Sequence, residues 1–270
     1  MKITNHAWLF DVDGVITDSE KRESVEVKVL NEILNRIKIG EPVALITGRG
    51  EKWLVDNVIS QLEENMIGEP RDNLFISGEV GGVTIRYINS QRLTEKDESL
   101  SLPKNVVEQA VALVKAHFSQ AMFFDETKNT LVTFQVHENY DLQSFKEKQE
   151  ELTPQLNKLL EDAKLNDKFE IHKDRLAINI RSRNATKSHV TQKVLEWLAS
   201  KNLKPHKFKI FGDSPSDLEM AQAIFEKGLD FEFIFVGDPA EISGQNYPFP
   251  ITFTKQKFEK GTLEYLASHT

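Results

Sequence analysis

Apolar residues follow two rhythms along this chain. Continuous runs at 7–12, 43–47 ("VALIT") and 74–77 ("LFIS") read as strands buried on both faces. Between the first two, Val25, Val29, Ile33 and Ile37 recur every four residues with Leu30 and Leu34 alongside, which predicts an amphipathic helix over 22–38. Residues 51–63 carry a second helical pattern. The last third repeats the alternation, with helix 187–200, strand 208–212 ("FKIFG"), helix 216–226, strands 231–237 and 251–254, and helix 258–267. Strands alternating with helices predict an α/β fold, a doubly wound parallel sheet covered on both faces.

The middle of the chain changes rhythm. "LPKNVVEQAVALVKAHF" (102–118) predicts a helix with proline near its start, where the missing N–H is harmless. "AMFFDETKNTLVTFQV" (121–136) predicts two strands around "ETKN". A charged helix follows at 142–163, and "KFEIHKDRLAINIRS" (168–182) predicts a second hairpin turning near Lys173–Asp174. Helix–hairpin–helix–hairpin would build a four-stranded antiparallel sheet with helices on one face. The expected organisation is an α/β core at 1–82 and 186–270 with an α+β domain inserted at 83–185. The crossings fall near Gly81–Gly82 and Arg183–Thr186, and two crossings suit a hinge.

Composition narrows the possibilities. The chain is 39% hydrophobic and 28% charged, as expected for a soluble globular protein. Its net charge of −8 argues against general nucleic-acid binding, which needs a basic face. There is no cysteine, which removes disulfides, thiolate catalysis and thiolate metal sites, so any metal must be held by oxygen or histidine. No apolar run is long enough for a signal peptide or a membrane span, so a cytoplasmic protein is expected.

Candidate chemistry starts at "LFDVDGVITDSE" (9–20), where Asp11 and Asp13 leave the first strand two residues apart. Close carboxylates repel, and burying one is costly unless it is paired or bound to metal. In a doubly wound sheet, ligands bind at the carboxyl ends of the strands. "TGR" (47–49) leaves the second strand, "GDSPSD" (212–217) leaves strand 208–212, and "ATKSH" (185–189) starts the helix before that strand. These segments bring Asp11, Asp13, Asp213, Asp217, Thr47 and Lys187 to one sheet edge. Hard oxygen donors suit Mg²⁺, and an ammonium and a hydroxyl beside them suit a phosphoryl group. Taken singly, each motif has a plainer reading: a solvated turn, a first-turn lysine, or an acid favouring a helix N-terminus.

Together, in this order, "DVDGV", "LITGR", Lys187 and "GDSPSD" resemble the motifs of the haloacid dehalogenase superfamily of phosphohydrolases. Many relatives with such an inserted cap domain have asparagine where Ser216 stands. The long interval between Thr47 and Lys187 places the cap as in the sugar-phosphate branch: trehalose-, sucrose- and mannosylglycerate-phosphate phosphatases, and phosphomannomutase. "SGEVGGV" (77–83) is similar to the "ENGG"-like entry to that cap, with Val80 in place of asparagine.

The resemblance implies a Mg²⁺-dependent phosphatase acting on a small phosphomonoester, most simply a sugar phosphate. Asp11 would be the nucleophile and Asp13 the general acid–base. Thr47, the N–H of Gly48 and Lys187 would hold phosphate. Asp11, Asp13 through its main-chain carbonyl, and Asp213 would hold Mg²⁺. Asp217 would hold Lys187 or a metal-bound water. Arg49, Glu79, Arg175 and Arg181 are candidates for substrate contacts. On an alternating strand Arg175, Arg181 and Arg183 share one parity. Trp8, Trp53 and Trp197 are expected to be packing residues. The cap would close over the substrate and exclude water. A phosphomutase with the same core, a silent phosphate-binding regulator and a phosphorylated signalling domain are the alternative readings.

Overall fold

The computed structural model describes residues 2–17, 24–69 and 71–268. The chain opens with β1 (Lys2–Asp11), α1 (Val27–Lys38), β2 (Val43–Ile46), α2 (Glu51–Leu54), a π-helical turn (Val55–Ile59), α3 (Ser60–Asn65) and β3 (Leu74–Gly78), followed by β4 (Val83–Ile88) and β5 (Gln91–Lys96). The middle holds α4 (Lys104–His117), β6 (Met122–Phe124), β7 (Val132–Val136), α5 (Leu142–Asp162), β8 (Phe169–Lys173) and β9 (Ala177–Ser182). The chain then returns through α6 (Lys187–Ser200), β10 (Leu203–Gly212), α7 (Leu218–Glu226), β11 (Phe231–Phe235), β12 (Ile251–Phe253) and α8 (Phe258–Ala267). Positions 22 and 23 of the expected first helix lie outside the described residues.

Two compact units result, one from the residues up to Glu95 together with those from Thr186 onward, the other from Lys96–Ala185. The first is built on an eight-stranded sheet in the order β12-β11-β10-β1-β2-β3-β4-β5. β12 through β3 are parallel, and β4 runs antiparallel to β3. Two apolar layers cover its faces. One joins α1, α3 and α8 residues to Trp8, Phe10 and Leu45, the other joins α6 and α7 residues to Leu9, Ala44 and Ile210. Neighbouring positions of β1 therefore feed opposite layers, which is why the run 7–10 is apolar without interruption. β10 starts earlier than its apolar run, at Leu203. There it pairs only with β1, so Pro205 sits on a locally open edge where its missing donor is tolerated.

The second unit is the expected four-stranded antiparallel sheet, in the order β6-β7-β9-β8. Its core gathers Val106 and Val114 of α4, Phe145, Leu152 and Leu156 of α5, and Phe134, Ile178 and Ile180 of the sheet. The insertion starts at Lys96 and not at 83, because the β4–β5 hairpin extends the main sheet first. Asn89 and Ser90 turn that hairpin with positive φ (50° and 61°), and both backbone N–H groups donate to the Asp72 carboxylate.

After β3 the backbone passes through Glu79 (φ 51°), Val80 (φ 49°) and Gly81 (φ 100°). A β-branched residue in the left-handed region costs roughly 1–2 kcal/mol. The turn persists because its N–H groups are anchored: Glu79 N donates to Arg49 O at 2.9 Å and Val80 N to Thr47 O at 2.9 Å. Val80→Asn should therefore stabilise the protein by about 1 kcal/mol, the strain relieved exceeding the partly buried methyls lost. Thermal unfolding should rise by about 2–4 °C. A fall would mean that the Val80 methyls contribute more than the strain costs.

Candidate active site

Four adjacent strands, β10, β1, β2 and β3, end on the same edge of the sheet, and Asp11, Asp13, Thr47, Gly48, Arg49, Glu79, Asp213 and Asp217 leave from those ends. β1 delivers Asp11, which is 5% exposed. Gly14 makes the next turn possible. Its φ is +72°, and a Cβ there would lie 2.1 Å from Asp213 Oδ2. β10 delivers Asp213 and then a turn closed by Asp217. Gly212 is required there, because a Cβ would meet Asp217 Cβ at 2.1 Å. One oxygen of Asp217, Oδ2, accepts from Asp213 N (3.0 Å), Ser214 N (2.9 Å) and Ser214 Oγ (2.8 Å). The other accepts from Lys187 Nζ.

Lys187 opens α6, whose N-cap is Thr186, and its backbone N–H donates to Glu219 Oε2 at 3.0 Å. Its Nζ also donates to Asp11 Oδ1 at 2.8 Å. Burial works against the ammonium, but Asp11 and Asp217 outweigh it and hold the Lys187 pKa above its usual value. The carboxylates are less well compensated. Burial, only partly offset by Lys187, and repulsion from Asp217, Asp213 and Asp13 push Asp11 well above the usual carboxylate range. Burial and Asp217 push Asp213 up to about 7.

One oxygen from each of Asp11, Asp213 and Asp217 lies within 4.8 Å of the others. This hard-oxygen set suits a divalent cation such as Mg²⁺. Asp217 already has both oxygens engaged, so Asp11 and Asp213 are the carboxylates with room to bind one. A cation there would also relieve the repulsion that raises both.

Asp13 stands apart from this cluster. Arg49 reaches its Oδ1 with Nε (2.9 Å) and Nη2 (2.7 Å), and Thr47 Oγ1 donates to its Oδ2 at 3.2 Å. Thr47 is fully buried, and its backbone N–H donates to Ser77 O. Gly48 follows, where an added Cβ would lie 3.8 Å from Val80 Cγ2. Glu79 is fully buried at the end of β3. Arg175 and Arg181 belong to the second unit. Arg175 lies in the β8–β9 turn, so strand parity does not apply to it. Arg181 and Arg183 both pair with Glu170, at 2.8 and 2.9 Å.

Sequence reading passed over three participants. Trp53 packs as expected, yet its ring also carries the Arg49 guanidinium, whose Cζ lies 4.6 Å from the ring centroid. Arg49 precedes α2, so no helical spacing announced this contact. Glu219 holds the start of α6, and Ser214 helps fix Asp217. Those two contacts join segments through tertiary structure or capping geometry, and no periodicity reports them.

The architecture, an α/β core with an inserted α+β domain, is shared with solved structures that include a haloacid dehalogenase-like hydrolase. No protein-family model matches the sequence, and no curated protein matches it. Solved structures do. The C-terminal domain of trehalose-6-phosphate phosphatase from C. albicans aligns with a TM-score of 0.65 and 17% identity, over 98% of this chain and 92% of that one. A haloacid dehalogenase-like hydrolase from Bacteroides thetaiotaomicron aligns with a TM-score of 0.64 and 15% identity, over 99% of this chain and 100% of that one. Sucrose-phosphatase from Synechocystis, solved with sucrose and phosphate, aligns with a TM-score of 0.56 and 13% identity, over 98% of each chain. Among the described residues, no helix is long and apolar enough to cross a membrane.

Proposed function

We propose that the protein is a Mg²⁺-dependent phosphatase that hydrolyses a small phosphomonoester, a sugar phosphate, through an aspartyl phosphate on Asp11. The observation that carries this reading is the buried Asp11 carboxylate, fixed through Oδ1 by Lys187, with Lys187 fixed in turn by Asp217. An immobilised, desolvated carboxylate at a strand end is a nucleophile prepared for attack on phosphorus. The sugar-phosphate class is supported by the shared fold of the trehalose-6-phosphate phosphatase and the sucrose-phosphatase.

Asp11 attacks, the bond from phosphorus to the leaving oxygen breaks, and Asp13 gives its proton to that oxygen. Asp13 then takes a proton from the water that cleaves the acyl phosphate and restores Asp11. Thr47, the Gly48 N–H and Lys187 hold phosphoryl oxygens. Asp11, Asp213 and the main-chain carbonyl of Asp13 would hold Mg²⁺. When bound, that ion offsets repulsion between the nucleophile and the phosphate dianion. Asp217 positions Lys187.

Phosphate release should be seen from one or a few sugar phosphates in a metabolite panel with Mg²⁺, and should vanish with EDTA. Release undiminished by EDTA would contradict the metal assignment. Silence across the panel from folded protein would contradict the phosphatase reading.

A further inference from the structure

We infer that Arg49 is a positioning residue for Asp13, fixing one carboxylate oxygen so that the other faces the leaving group. The role rests on the phosphatase reading above. Asp13 follows the end of β1, and its side chain is 47% exposed. A carboxylate that open would sample several rotamers unless something held it. Arg49 holds it by one oxygen only, since Nε and Nη2 both donate to Oδ1.

Arg49 is itself immobilised from three directions. Its guanidinium lies over the Trp53 ring, its N–H donates to Thr47 Oγ1 at 3.0 Å, and its carbonyl accepts from Glu79 N at 2.9 Å. The strained 79–80 turn is thus part of the same support, because it clamps the carbonyls of Thr47 and Arg49. Backbone strain held in place beside a site in this way is a mark of preorganisation.

The two oxygens of Asp13 are held unequally. The contact at Oδ1 is doubled and charge-assisted, whereas Oδ2 receives a single neutral bond from Thr47 at 3.2 Å. A threonine hydroxyl has one proton to donate. When Thr47 turns its hydrogen bond to a phosphoryl oxygen, Oδ2 is released while Oδ1 stays fixed. Oδ2 is then the oxygen that carries the proton to the leaving alkoxide as the phosphorus–oxygen bond breaks. Lysine at position 49 would keep the charge but lose both the fork and the planar stack on Trp53.

The test compares two esters of similar size, 4-nitrophenyl phosphate and benzyl phosphate, with Mg²⁺. The nitrophenolate leaves without a proton, and the benzyl alkoxide needs one. In Arg49→Met, kcat for the benzyl ester should fall roughly 10-fold or more beyond its fall for the nitrophenyl ester, with KM for both changed little. Arg49→Lys should show the same selective loss on the benzyl ester, and Trp53→Leu should reproduce part of it. Trp53→Leu also carries the comparison alone if Arg49→Met does not fold. Equal losses on both esters, or a raised KM at unchanged kcat, would overturn the role and make Arg49 a binding or structural residue. Wild-type protein releasing phosphate from neither ester would overturn the phosphatase reading, and this role with it.

Discussion

Asp11→Asn should lose phosphate release by about 10⁶-fold, the scale on which removal of a catalytic nucleophile is felt, and should fold into a metal-free protein more stable than wild type at pH 8. The two halves have one cause. Asp11 is buried, Lys187 only partly compensates it, and three further carboxylates repel it, so folding works against its charged form. Asparagine is a neutral side chain of nearly the same shape, and its amide oxygen can still accept from Lys187 Nζ.

The same electrostatics fix the sign of the pH dependence. Asp11 and Asp213 have folded-state pKa values above the ordinary 3.8, with Asp213 at about 7. Between those values the folded protein binds more protons than the unfolded chain, so stability falls as pH rises. The favourable contribution of Asp213 is complete below the ordinary value and is lost as pH climbs through about 7, and that of Asp11 is lost in the same direction as pH rises. Thermal unfolding of metal-free wild type should therefore drop between acidic and neutral pH. The slope should be shallower in Asp11→Asn, and Mg²⁺ should raise wild type most at the alkaline end. A metal-free wild type that gains stability toward pH 8 would show that the acids are compensated in some other way.

Asp217→Ala should be the most destabilising single change at the site. The side chain is fully buried and holds the Lys187 ammonium, two backbone N–H groups and the Ser214 hydroxyl. Its removal leaves a buried cation with one partner instead of two and leaves two backbone donors unpaired. Breaking a buried ion pair from one side typically costs about 3–5 kcal/mol. The urea midpoint should fall accordingly at unchanged m. Activity should collapse as well, because Lys187 would lose the anchor that aims it at Asp11. Asp217→Asn keeps an acceptor for the backbone donors and should be milder. An alanine variant within about 1 kcal/mol of wild type would mean that Asp217 is not the keystone of this edge.

Much of this was readable before any coordinates. Apolar runs that end in a polar residue bring Asp11, Asp213 and Thr47 to one edge, because a parallel sheet aligns its carboxyl ends by construction. The α+β insertion was readable for the same reason, since its hairpins alternate on one face. The β4–β5 hairpin was not. Every residue of β5 is exposed, so it carries no apolar alternation, and its Asn89–Ser90 turn lacks the glycine that usually announces a two-residue hairpin. Nor could sequence show that Arg181 faces Glu170, a cross-strand pair fixed by register. Composition displayed the basic residues of the second unit but concealed their partner. The Arg49–Asp13 contact was likewise hidden, since it joins the ends of two different strands.

The central claim is that the phosphoryl group passes through Asp11. Its most direct test is an acid quench during turnover with Mg²⁺ and a reactive substrate, followed by borohydride reduction and peptide mass spectrometry. An acyl phosphate on Asp11 would be reduced to homoserine at that position, and at no other acid. Conversion at a different carboxylate, or steady phosphate release with residue 11 recovered only as aspartate, would contradict the account.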